Sequence, residues 1–171
     1  MLAVRGSPAW TWAGICLAAP ASVLLLIQAI TGSDALRPWS AAFEAPLYFY
    51  AAGGLIAYML GDRTITRDDL FAVGATFTLG AWGFAYVYTV CQAVAPHSFT
   101  AAVDPQAPRT WVELLFLSFT TLSSTGIGDV VPIRPFARAL VMFEQLAGIA
   151  YVAMVVSRLV GLTVIRRAGR S

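Results

Sequence analysis

The sequence predicts an all-α membrane protein with four transmembrane helices and one shorter re-entrant helix. Three observations predict it. Hydrophobic residues make up 58% of the 171 residues and charged residues only 12%, against roughly 25% charged in an ordinary soluble domain. Three stretches carry no charge at all: residues 6–33, 45–61 and 70–96. A fourth apolar run, residues 114–122, is too short to cross a bilayer and is broken by Ser123-Ser124-Thr125-Gly126-Ile127-Gly128-Asp129.

The composition also excludes several functions. Net charge is +2, which gives no electrostatic basis for binding nucleic acid. All the basic side chains apart from His97 are arginine, and Asn is absent, so N-glycosylation is impossible. Lysine and asparagine use A-rich codons, so their absence points to a GC-rich, bacterial genome. Cys16 and Cys91 sit in separate apolar runs and read as small buried hydrophobes, not as a disulfide or metal pair. The spans contain no His pair, Asp pair or Cys cluster, so neither an enzyme nor a cofactor is expected.

A bilayer core needs about 20 apolar helical residues, with a range of about 17–25. The first span is placed at residues 10–30. Arg5 ahead of an apolar run resembles a signal peptide, but residues 23–30 continue the run past the Ala-Ala-Pro-Ala stretch, which argues for a retained helix. The second span is placed at residues 46–60, short, with Pro46 in its first turn. The third covers residues 69–94, with Asp68 and Asp69 as caps and Tyr86 and Tyr88 toward the far end, where interfacial aromatics collect.

A loop over residues 95–109 holds three prolines and His97, the only histidine. Thr110-Trp111-Val112-Glu113 then has the pattern of a capping box. The helix it opens, residues 111–123, would be roughly 20 Å long. The fourth span starts near Pro135 and runs to about Ile165. Non-helical backbone at membrane depth is tolerated only inside protein or beside a watery path. A Gly-rich, hydroxyl-rich segment after a half-length helix therefore reads as a pore loop. A Gly-x-Gly alone is a turn in most proteins; this context is what distinguishes it.

With an even number of spans both termini share a side. Arg5, Arg63, Arg67, Arg166, Arg167 and Arg170 fall there, and Arg37, Arg109, Arg134 and Arg138 on the other. The bias places both termini in the cytoplasm of a multi-pass cell-membrane protein.

Residues 121–129, Thr-Leu-Ser-Ser-Thr-Gly-Ile-Gly-Asp, resemble the selectivity-filter signature of potassium channels, Thr-Leu-Thr-Thr-Val-Gly-Tyr-Gly-Asp. The likeness extends to Leu117-Ser118-Phe119 before it, Val130-Val131-Pro132 after it, and an inner helix with Gly148, Tyr151 and Arg158-Leu159-Val160-Gly161-Leu162. It covers roughly residues 69–165 and is similar to the two-helix pore module of bacterial channels. Residues 67–171 are then a pore module, and residues 1–66 two further helices of unassigned role.

The resemblance implies a homotetramer in the lipid bilayer, with K+ as permeant ion. Carbonyls of Ser124, Thr125, Gly126 and Ile127, with Ser124 Oγ, would replace its hydration shell. Gly126 and Gly128 would supply the positive φ that a one-sided row of carbonyls requires. Thr121 and Asp129 would support the loop, and Glu144, an intramembrane carboxylate, would brace it from behind. Gly148 is a gating hinge or a close-packing point. Ile149, Val152 and Val156 share a face that either lines an apolar cavity or packs in the core. Arg158 would snorkel to the inner interface. Ile127 stands where the family has tyrosine and cannot donate a hydrogen bond to the pore helix, which has Phe116 and Leu117 at that turn. The alternatives are a poorly selective monovalent-cation channel or, in another class, a non-conducting membrane assembly subunit or a small membrane enzyme. The first two spans carry no arginine, so steep voltage gating is not expected.

Overall fold

The structure, a computed structural model, describes residues 8–32, 34–61 and 67–168. Among the described residues there are five α-helices: α1 (Pro8–Thr31), α2 (Arg37–Gly61), α3 (Arg67–Val94), α4 (Trp111–Leu122) and α5 (Pro135–Ala168). Three contain stretches long and apolar enough to span a membrane: Trp12–Thr31, Asp69–Val94 and Pro135–Arg158. The 25-residue α2 has the length but holds no stretch that qualifies. The fold is the expected all-α membrane architecture with a short fifth helix.

The second span differs from expectation at its start. α2 begins at Arg37, so Pro46 lies inside it rather than in its first turn. The polar stretch from Arg37 to Glu44 stays helical because one face is covered. Ser40, Ala41, Glu44 and Ala45 are all buried. Gln28 of α1 donates to Ser40 Oγ at 2.8 Å. α2 thus lies between α1 and α3. Gly83 of α3 allows the close approach: a Cβ there would stand 3.0 Å from the Phe49 ring. An aromatic cluster then ties α2 to α3 and α4, with Tyr48 stacked on Tyr86 at 5.4 Å and Trp82 edge-on to Trp111 at 5.5 Å.

The main core joins α3, α4 and the N-terminal part of α5 through Ala81, Phe84, Tyr88, Leu114, Leu117, Leu122 and Ala137. Cys91 belongs to it, as expected, whereas Cys16 is exposed on α1. α3 already runs from Arg67, so Asp69 is inside its first turn rather than capping it; the side chain of Asp68 lies outside the described residues. The same holds for Arg5, Arg63 and Arg170, counted above for orientation.

A small feature escaped the sequence. Two-residue strands β1 (Phe99–Thr100) and β2 (Val131–Pro132) pair antiparallel, Phe99 opposite Pro132. Ile133 N donates to Ser98 O at 2.9 Å and extends the pairing. The ribbon fastens the loop before α4 to the segment after Asp129, so the Gly-rich loop is held at both ends.

Candidate functional site: the loop after α4

α4 is short because its two ends are specified locally. At its start the capping box is present: Glu113 N donates to Thr110 Oγ1 at 3.3 Å, and Thr110 N to Glu113 Oε2 at 2.6 Å. These bonds from Thr110, backbone first and hydroxyl second, hold the Glu113 carboxyl below the usual carboxylate range. Arg109, just ahead, is buried and organises the preceding loop. It donates to the carbonyls of Val103, Asp104 and Ala107 and pairs with Glu113 at 3.2 Å. Gln92 of α3 holds the Arg109 backbone in both directions, at 2.7 and 3.0 Å. Sequence reasoning counted Arg109 only as an outer charge.

At the other end α4 stops where Ser124 turns left-handed, with φ +58°, and Gly126 follows at φ +65°. Ser124 N donates to Thr121 O at 2.9 Å, while the N–H groups of Thr125 and Gly126 both reach Thr120 O at 3.0 Å. The amides of the loop therefore turn back toward α4. Gly126 adopts the expected left-handed backbone. Gly128 does not, and Ser124 does instead. Gly128 lies beside the pore-helix side chains, where an added Cβ would be 3.7 Å from Phe116 and 3.8 Å from Thr120 Oγ1. Residues 123–129 are all exposed in the single chain.

The Ile127 side chain is 71% exposed and does not pack on its own α4. Of the two α4 residues considered opposite it, Phe116 borders the loop but Leu117 is buried in the core. Asp129 is exposed and makes no hydrogen bond or ion pair among the described residues. Thr121 is buried and supports the loop through its carbonyl.

Behind α4 stands Glu144. It is fully buried, with Oε2 accepting from Tyr88 Oη of α3 and Oε1 hydrogen-bonded to Ser118 Oγ of α4. Ser118 Oγ also donates to Ala81 O at 2.8 Å. Glu144 thus joins three helices. Tyr88 was expected among interfacial aromatics; it is buried instead, because an intramembrane carboxylate recruits a donor. That need was the signal available in the sequence, although nothing there named the partner.

Further along α5, Gly148 presses on the last carbonyl of α4: a Cβ would fall 2.0 Å from Leu122 O. The two helices are in close contact at this glycine. Ile149, Val152 and Val156 are about half exposed in the single chain and form a free face. Arg158 does not simply snorkel. Its guanidinium is only 14% exposed and lies 3.6 Å from Asp69 of α3.

A half-length capped helix, a loop with left-handed residues returning from its end, and two long flanking helices are the parts of a re-entrant pore loop. The family described as ion channel matches residues 47–164. The chain belongs to that ion-channel family. It is not an enzyme. The match begins within α2 and takes in α3, α4, the loop and nearly all of α5. The chain is also similar to Protein LctB of Geobacillus stearothermophilus, 32% identical over 107 residues, which is 61% of this chain and 79% of that protein. No solved structure matches.

Proposed function

We propose that this channel protein is one subunit of a homotetramer that conducts K+ passively across the cell membrane, with both termini cytoplasmic and the loop entering from outside. One observation carries the reading. The segment 124–128 is exposed in one chain, yet the amides of Thr125 and Gly126 hang it from Thr120 O, with Ser124 and Gly126 left-handed. Such a segment needs partners, and copies around an axis supply them. The carbonyls of Ser124, Thr125, Gly126 and Ile127, with Gly128 at the outer mouth, then replace the water around the ion. The C-terminus of α4, equivalent to about half a negative charge, favours a cation in the cavity below.

In this reading Thr121, Asp129 and Glu144 support the filter, and Ile149, Val152 and Val156 line an apolar cavity. Gly148 sets the approach of α5 to the filter and is the candidate point of bending. Residues 67–171 form the pore module, and residues 1–66 add two helices at its periphery. The only arginine among the described residues of α1 and α2 is Arg37, at one end of α2, so opening is not steeply voltage-dependent. Ile127 favours a second reading within the first, a filter that discriminates K+ from Na+ only weakly, because no side-chain hydrogen bond braces it.

The test is the purified protein in liposomes. The complex should have the mass of four chains, K+ should permeate and Ba2+ should block. Reversal potentials in mixed K+ and Na+ solutions grade the selectivity. A stable monomer or dimer without flux refutes the channel. Discrimination as sharp as that of a tyrosine filter refutes the argument from Ile127.

A further inference from the structure

Tyr88, Ser118, Glu144 and the Ala81 carbonyl make three hydrogen bonds: Tyr88 to Glu144, Ser118 to Glu144, and Ser118 to Ala81 O. A tyrosine and a serine hydroxyl bring one proton each, and an ionised carboxylate brings none. Two protons cannot occupy three bonds. If Ser118 gives its proton to Glu144, it faces the Ala81 carbonyl at 2.8 Å with lone pairs only. We propose that Glu144 stands in the bilayer as a neutral carboxylic acid. Its own proton, on Oε1, is donated to Ser118 and completes a chain from Tyr88 through Glu144 and Ser118 to the Ala81 carbonyl, positioning α4 behind the filter. The inference rests on the reading of α4 as a pore helix.

Among the described residues no charged side chain is placed to hold an anion there. α3 offers Tyr88 and, in the same buried cluster, Cys91; α4 offers Ser118. The described arginines nearest in sequence to these elements are turned elsewhere. Arg109 pairs with Glu113, Arg138 donates to Pro132 O, Arg158 faces Asp69, and Arg134 is exposed. His97 is exposed on the outer loop. An unpaired carboxylate is costly to bury, and a neutral acid is not. The acid has one donor and one acceptor, matching the two partners set before it. Loss of the proton leaves acceptors only. Ser118 must then turn its hydrogen toward Glu144, and the tie from α4 to the Ala81 carbonyl is broken. Glu144 is thus a positioning residue whose proton decides whether α4 is held by α3.

The experiment is infrared difference spectroscopy of the full-length protein in lipid, wild type against Glu144→Gln, with liposome flux alongside. Glutamine keeps a donor group and an acceptor group in nearly the same shape, with one amide hydrogen more than the acid. The wild type should show a protonated-carboxyl carbonyl band at neutral pH that Glu144→Gln lacks. Glu144→Gln should retain flux, whereas Glu144→Ala, which leaves Tyr88 and Ser118 unpaired, should lose about tenfold or more. Wild-type flux should fall as alkaline pH removes the band, while flux through Glu144→Gln stays level. Absence of the band at neutral pH overturns the proposal whether or not the protein conducts. So does an equal alkaline loss of flux in both proteins. A band in a protein that carries no current leaves the proton assigned and removes the channel reading instead. If Glu144→Gln does not assemble, the alkaline titration of the wild-type band alone carries the test.

Discussion

Replacing Gly148 by alanine is the sharpest perturbation of the contact between α5 and the end of α4. The new Cβ would lie 2.0 Å from Leu122 O and 2.8 Å from its carbonyl carbon. Ordinary contact begins near 3.4 Å, so α5 and the end of α4 must separate by roughly 1.4 Å. The obstructing atoms are backbone and cannot swing aside as a side chain would. Overpacking of this kind costs about 1–3 kcal/mol, and a backbone obstacle places it at the upper end. Alanine returns at most about 1 kcal/mol through its better helix propensity. The net effect is destabilising by about 2 kcal/mol. Leu122 is two residues ahead of Ser124, so the displacement passes directly into the proposed ion ring, where about 0.5 Å matters. Gly148→Ala should lower both the thermal midpoint in detergent and the flux in liposomes. Gly74→Ala is the control: nothing lies within 4 Å of a Cβ there, so it should be neutral or slightly stabilising. If Gly148→Ala matches Gly74→Ala in stability and conducts like wild type, the close approach argued here is wrong. If it is stable but alters gating alone, the glycine serves bending and not packing.

Three further outcomes are expected. Gly126→Ala should abolish K+ flux while leaving the complex assembled, because a Cβ opposes the backbone at φ +65°; normal flux would mean that this loop is not the filter. Asp69→Asn should lower thermal stability by about 1–3 kcal/mol, less than the 3–5 of a fully buried pair, since Arg158 keeps a route to the interface; adding Arg158→Met should recover most of the loss, and no recovery would show the pair to be incidental. Glu113 has a lowered carboxyl, so its contribution is whole above the ordinary carboxylate value and fades as pH falls through the folded value; the side chain is 35% exposed, and solvent screening keeps that part under about 1 kcal/mol. Acid unfolding of wild type compared with Glu113→Gln reads it, and identical acid curves would remove the capping-box argument.

The helices were legible because a bilayer demands long uncharged runs and because Thr110 and Glu113 mark a helix start by local chemistry alone. The start of α2 was not. Its first turns carry Arg37 and Glu44, which look like loop until the buried faces of Ser40 and Glu44 are seen against their neighbours. Glu144 could be flagged as a carboxylate in need of partners, but Ser118 and Tyr88 lie 26 and 56 residues away. Only helix packing brings them together. The β1–β2 ribbon is too short to leave any alternation in the sequence. Left-handed backbone was expected at Gly126 and Gly128; it occurs at Gly126 and at Ser124 instead of Gly128, because the turn off α4 is set by bonds back to Thr120 and Thr121 and not by glycine content alone.

One pattern on α5 connects these pieces. Glu144, Tyr151 and Arg158 recur every seven residues, nearly two helical turns, so they form one stripe with a drift of about 20° per step. Each grips α3: Glu144 through Tyr88, Tyr151 by donating to Val73 O at 2.7 Å, and Arg158 through Asp69 at 3.6 Å. The face that carries Ile149, Val152 and Val156 is uncharged and grips nothing in this chain. The inner helix is thus polar where it must hold its own outer helix and apolar where copies of it would meet. Two of the three grips lie beyond Gly148. Any bend at that glycine that carries the far half of α5 away from α3 must break Tyr151–Val73 and Arg158–Asp69. Motion of α3 and α5 together leaves both intact and would reach the end of α4, and the proposed filter after it, through Leu122 and Ser118.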